Sequence, residues 1–369
     1  FLALAFAFFV QGSAANVLAV ALVPVLARDR SRFGLQAQLR HAAAWAALVA
    51  ALSAWFATDY FTTMECVLVF AGVWLSGAAG LLAAPAAAAL SVEHRYGPAG
   101  LSWALRILPL SLYWLWAPQT AQLLWLLLGL AITDVLRCLL LCSMARRRLV
   151  FLGADASLPF PMEAAYLLVG GLIVGLVPLV VRWLATLGAA GTLSVFELAD
   201  RIFAAIASFS TLGIANVALV YFAQAASAAE RCRLSRRMLG AGLAWSLLWV
   251  AVLLAGTFAL PLLADFAGAL GKDELKEVAQ VLWGLSAGLP AFVLHMLMSR
   301  GVIAAGQARM LPAMALAGLV VTAAVGGVLL DQLGPLGLAV GVAAGQYAVL
   351  ALMLVVFFGG RWREDTDAH

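Results

Sequence analysis

Three charged residues, Glu197, Asp200 and Arg201, stand inside an otherwise apolar run from 192 to 225. Spacings of i, i+3 and i+4 put them on one face of a helix. A guanidinium placed there can bind an anionic group through paired hydrogen bonds, with the carboxylates tuning it or holding a coupling cation. The alternative is that Arg201 pairs with Glu197 one turn away, at an interface that water reaches.

Other polar residues lie within apolar runs. Asp134 and Arg137 are an i, i+3 pair in the run 120–144, where an intrahelical salt bridge would satisfy both. Arg106, about two turns into the run 98–117, either snorkels to the headgroups or projects into a cavity. Gln11 and Asn16 in the first run suit a cavity wall or an interhelical hydrogen bond equally well. His295 is either a proton relay or a hydrogen-bonded packing residue. The candidate substrate-binding residues are Arg201, Asp200, Glu197, Arg106 and Gln11.

Cys66, Cys138, Cys142 and Cys232 have no histidine at a zinc spacing, so no metal or cofactor is expected. The phosphate-binding GxxxxGK[ST], HExxH and GxSxG motifs are absent, and the loops are too short to fold as a catalytic domain. An enzyme and an ATP-driven pump are both disfavoured. A driving force would come from membrane potential, an ion gradient such as a monovalent cation's, or consumption of the substrate.

The elements that carry these residues follow from hydropathy. The 369 residues are 65% hydrophobic and 11% charged, against about 25% charged in a soluble domain. Eleven apolar runs, near 1–27, 41–57, 63–90, 98–117, 120–144, 162–187, 192–225, 237–262, 278–300, 310–330 and 335–359, approach or exceed the roughly 20 residues that span a bilayer. Their Ala and Leu content favours helix, and no strand-like alternation runs through them. The expected class is an all-α, polytopic integral membrane protein.

Of 20 Arg and 2 Lys, sixteen arginines fall in alternate loops. They are Arg28, Arg30, Arg32 and Arg40, then Arg95, then Arg146 to Arg148, then Arg231, Arg233, Arg236 and Arg237, then Arg300 and Arg309, then Arg361 and Arg363. The opposite loops hold Arg182, Lys272 and Lys276. Cytoplasmic loops retain positive charge, so the arginine side is expected to be cytoplasmic, in a bacterial inner membrane. The first run then travels inward, which implies a helix before residue 1.

Val20 to Val23 (VALV) reappears as VALV from Val217 to Val220, late in a helix that approaches an arginine loop. The loop leading to Gly97-Pro98 corresponds to the loop from Gly306 to Pro312. Both echoes imply a period of six helices, hence two six-helix lobes facing one another across a cavity, a transporter architecture. The expected division is 1–148 for helices 2–6 and 149–369 for helices 7–12, with helix 1 missing.

Three passages carry a family resemblance: Val20 to Ala27 (VALVPVLA), Phe196 to Arg201 (FELADR) and Gly301 to Pro312 (GVIAAGQARMLP), with Gly334 to Ala339 (GPLGLA) following. In their order and spacing the chain resembles the MviN/MurJ-type lipid II flippases of the multidrug/oligosaccharidyl-lipid/polysaccharide (MOP) exporter superfamily. The resemblance implies two helical bundles in a V, alternating access, and export of an undecaprenyl-pyrophosphate-linked glycan to the outer leaflet. It gives Arg201, in the ADR motif, an anion-binding role. Partners would be the lipid-linked glycan and membrane lipids, with no nucleic acid, and the protein would act as a monomer, alone or with cell-envelope synthesis proteins. Val10 and Gln11 stand where the family carries two arginines, and two helices usual after helix twelve are not seen, which favours a divergent paralogue. The alternatives are a cation-coupled multidrug exporter of the same superfamily, a membrane-embedded glycan polymerase or ligase, and an inactive flippase-like scaffold.

Overall fold

A computed structural model describes residues 2–28, 33–58, 61–109, 111, 120–150, 156–157, 162–225, 227–260 and 272–358. Of the residues named above, Arg30, Arg32, Arg361 and Arg363 lie outside the described residues, as do the side chains of Val10, Gln11 and Lys272. The helices are α1 (Leu2–Arg28), α2 (Gln36–Ala57), α3 (Thr63–Val92), α4 (Tyr96–Leu101), α5 (Thr120–Met144), α6 (Glu163–Leu187), α7 (Thr192–Gln224), α8 (Ala228–Ala259), α9 (Lys272–Ala304), α10 (Leu311–Leu333) and α11 (Pro335–Phe358). Among the described residues nine helices are long and apolar enough to cross a bilayer, and α1 adds a shorter apolar stretch, Ala14–Arg28. The protein is an all-α polytopic membrane protein.

The run 98–117 departs from the expected continuous helix. It opens as α4, tightens into a 3₁₀ turn over Ser102–Arg106, and its residues 110 and 112–117 lie outside the described set. Three two-residue strands also form: β1 (Phe33–Gly34) pairs in parallel with β2 (Leu149–Val150) and β3 (Ala156–Ser157). They tie loops together and do not alter the class.

The chain divides into two compact units, 1–168 and 169–369. In the first, α3 is the hub: α1, α2 and α5 all pack on it. In the second, α9 is the hub for α7, α8 and α11. The packing scheme is the same in both, displaced by six helices. The duplicated VALV is buried in each copy apart from the half-buried Val217: Leu22 is 0% exposed in α1 and Ala218 0% in α7.

The hub helices end alike, in a Schellman cap that satisfies carbonyls the helix would leave orphaned. After α3, Arg95 N–H donates to Leu90 O at 2.8 Å and His94 N–H to Ser91 O at 2.9 Å. After α9, Gln307 N–H donates to Val302 O and Gly306 N–H to Ile303 O, both at 3.0 Å. Each bond is displaced by 212 residues (94 to 306, 95 to 307). The cap needs a left-handed residue, and Gly306 (φ 76°) supplies it without a Cβ clash, whereas the first unit uses His94 (φ 58°).

Within the second unit α10 and α11 cross closely. A Cβ on Gly341 would stand 2.6 Å from Gly326 Cα, so the two backbones touch. Gly337, Gly341 and Gly345 recur every fourth residue on α11, the small-residue spacing that lets membrane helices approach.

Candidate functional site

Glu197 lies in the second turn of α7, just after the four-residue turn Gly188 to Gly191 that joins it to α6 in a helical hairpin. That hairpin brings Arg182 of α6 to it. Arg182 Nε sits 3.0 Å from Glu197 Oε1, and Arg201 Nη2 donates to Glu197 Oε2 at 3.3 Å. Each carboxylate oxygen therefore carries one arginine. The Glu197 and Arg182 side chains are 31% and 42% exposed, while Arg201 is 75% exposed, with one of its donors engaged among the described residues. Asp200 is half-buried on the same helix, and the Arg182 charge acts on it. The cluster thus unites the three residues expected from sequence, including the Glu197–Arg201 pair.

Arg182 is the member that sequence reasoning missed, having been counted with the outer loops. Arg182 and Glu197 stand equally far from the centre of the helical turn, and in an antiparallel hairpin such residues face one another. That symmetry was the available signal.

Arg106 belongs to a second cluster, wholly within the first unit. Asp134 of α5 has a side chain 0% exposed, and Arg106 grips it from the 3₁₀ turn: Nε donates to Oδ1 at 2.7 Å and Nη2 to Oδ2 at 2.5 Å. Ser76 Oγ of α3 donates to Asp134 Oδ2 as well. Arg137 Nε donates to Ser102 Oγ at 3.0 Å, across to the same 3₁₀ turn. Sequence alone paired Asp134 with its helix neighbour Arg137. The broken helix at 102–106 instead presents Arg106 edge-on, and a bidentate fork outcompetes an i, i+3 contact. Arg106, Asp134 and Ser76 thus form one hydrogen-bonded group and Arg137 with Ser102 a second, and together they join α3, the 3₁₀ turn and α5.

Asn16 is exposed on α1, and Gln11 lies on the same helix. His295 Nδ1 is 3.1 Å from Ala291 O, the carbonyl one turn back, with the Phe292 ring edge-on to it. The four cysteines are free thiols, and Cys138 and Cys142 are buried. Among the described residues no three His, Cys, Asp or Glu side chains gather to hold a metal. The first unit also holds an apolar cleft of about 470 Å³, walled by Val17, Leu18, Leu48 and Leu81 and bordered by Gln38 and His41.

No protein-family model matches the chain, and neither does any curated protein sequence. Solved structures do. An outward-facing multidrug resistance MATE family transporter of the MOP superfamily superposes with a TM-score of 0.70 at 15% identity, covering 99% of this chain and 88% of that one. The Vibrio cholerae MATE transporter VcmN in its bent form gives 0.67 at 14% identity, covering 96% and 86%. The lipid II flippase MurJ in an inward closed conformation gives 0.62 at 14% identity, covering 98% and 80%. The chain has the fold of the MOP-superfamily transporters, the fold that the flippase and the drug exporters share.

Proposed function

We propose that this protein is a membrane transporter that flips an undecaprenyl-pyrophosphate-linked glycan from the cytoplasmic to the outer leaflet of a bacterial inner membrane by alternating access. The carrying observation is the charge arrangement at Glu197. Its two oxygens are occupied by two arginines, which leaves most of the Arg201 fork available to a second anion. A pyrophosphate is such an anion and suits bidentate arginine. The likeness to MurJ over 98% of the chain and the internal six-helix repeat support this reading. Membrane potential or a monovalent cation would drive the cycle, and the arginine-rich loops would face the cytoplasm.

A cation-coupled multidrug exporter is the second reading, favoured by the higher TM-scores of the MATE structures. Its cation would rest on Asp200, the carboxylate of the α7 cluster that, among the described residues, makes no hydrogen bond or ion pair of its own.

Native mass spectrometry of the purified protein with lipid II and with undecaprenyl-pyrophosphate oligosaccharides decides between the two. Binding that Arg201→Ala abolishes supports the flippase. Absence of binding, together with transport of an organic cation that Asp200→Asn stops, overturns it in favour of the exporter.

A further inference from the structure

A second group of arginines gathers at the opposite end of unit 2 from Glu197. The helices α8 and α9 run antiparallel and in step. Trp283 Nε1 donates to Thr257 Oγ1 at 2.8 Å near one end, and further along Gly242 packs against Leu297. Fifteen residues along α8 (257 to 242) thus match fourteen along α9 (283 to 297). Continued at that step, Arg300 lies level with Leu239 and Gly240, and the residues after Ala304 lie level with the first two turns of α8. Arg231 and Arg233 occupy those turns, Arg236 and Arg237 the third, and Arg309 follows α9. Six arginines lie along this stretch, with Glu230 as their one acidic neighbour in sequence.

Loop arginines that merely fix orientation are solvated, as Arg233, Arg236, Arg237 and Arg309 are, each of them exposed. Arg300 is different. Its Nε is buried and meets no acceptor, and among the described residues nothing pairs with its guanidinium. Leu297 and Ala304, which share its side of α9, are buried. Arg300 as a whole is half-buried, but a buried donor without an acceptor is costly, and an anion supplied from outside the chain would satisfy it. At the end of two membrane spans, the anion in constant supply is a phospholipid headgroup, and basic pockets between transmembrane helices hold such headgroups.

The geometry points to a binding site for the phosphodiester headgroup of an anionic phospholipid at the α8–α9 seam, seated on Arg300 and rimmed by the exposed arginines. It is separate from the Glu197 cluster and does not depend on which substrate the protein carries.

The test uses the purified full chain, delipidated, with dioleoyl phosphatidylglycerol, dioleoyl phosphatidylcholine and inorganic phosphate as separate probes, read by native mass spectrometry and by thermal unfolding. Phosphatidylglycerol should bind about tenfold more tightly than phosphatidylcholine, as a charge-assisted contact implies. Arg300→Gln should erase that preference, and Arg236→Gln should reduce it less than threefold. The unfolding midpoint of the wild type should rise with phosphatidylglycerol alone, and that rise should vanish in Arg300→Gln without a lower starting midpoint. An unchanged preference in Arg300→Gln overturns the site, as does a fall in the lipid-free midpoint with the lipid response intact. Inorganic phosphate binding as tightly as phosphatidylglycerol would replace the lipid with a free small anion.

Discussion

Arg106 and Asp134 face one another through two parallel hydrogen bonds, and the Asp134 side chain has no exposed surface. Removing one partner of such a pair strands a buried charge, at a cost of about 3–5 kcal/mol, whereas replacing both with apolar side chains is often neutral. Arg106→Ala should therefore lower the thermal unfolding midpoint far more than Arg106→Leu combined with Asp134→Leu. A double variant as unstable as the single one would show that Ser76 and Arg137 depend on the ionic form of the network.

Glu197 competes with any anionic substrate for Arg182 and Arg201. Partly exposed pairs are worth about 0.2–1 kcal/mol. Glu197→Gln should then tighten binding of a pyrophosphate lipid by roughly two- to fivefold, from that same range. A titration that instead shows organic-cation binding, weakened by the same change, would contradict the anionic reading.

The matched caps of α3 and α9 make a paired prediction. Gly306→Ala places a Cβ on a left-handed residue and should destabilise by about 1 kcal/mol. His94→Gly relieves the same strain and should stabilise by up to about 1 kcal/mol, less whatever the 3.3 Å contact of His94 with Tyr96 contributes. Unfolding midpoints of the two variants should move in opposite directions. Movement in the same direction would mean that the two caps do not do equivalent work.

Hydropathy made the long helices legible because a bilayer span is a property of some twenty consecutive residues and needs no tertiary knowledge. VALV and the loop before Pro312 likewise disclosed the six-helix period, since a duplicated packing scheme keeps its buried residues, as at Leu22 and Leu219. What escaped were the contacts between segments. Arg182 and Glu197 lie 15 residues apart (182 to 197), and Asp134 takes Arg106 from 28 residues away. No helical periodicity reports either. The interruption at Ser102–Arg106 was also invisible, because hydropathy summed over a span does not report a change from α to 3₁₀ within it. Charge spacing within one helix correctly joined Glu197 to Arg201, where a single turn supplies the geometry, and mispaired Asp134, where the partner comes from elsewhere.

The α10–α11 crossing tests whether close backbone approach holds unit 2 together. Gly341 and Gly326 leave no room for a side chain between them, and Gly318 faces Val349 at 2.5 Å from where its Cβ would stand. Without a hydrophobic drive in lipid, such helices associate through dispersion and close packing. Gly341→Leu should separate them and cost on the order of 1–3 kcal/mol, the overpacking range. Gly171→Leu, at a site with nothing within 4 Å, should not lower the midpoint. Because α11 also packs on the hub α9, the loss should spread to the rest of the unit, so a disulfide placed between α9 and α11 should restore much of the midpoint of Gly341→Leu. No recovery would place the damage in α10 alone and separate the crossing from the hub.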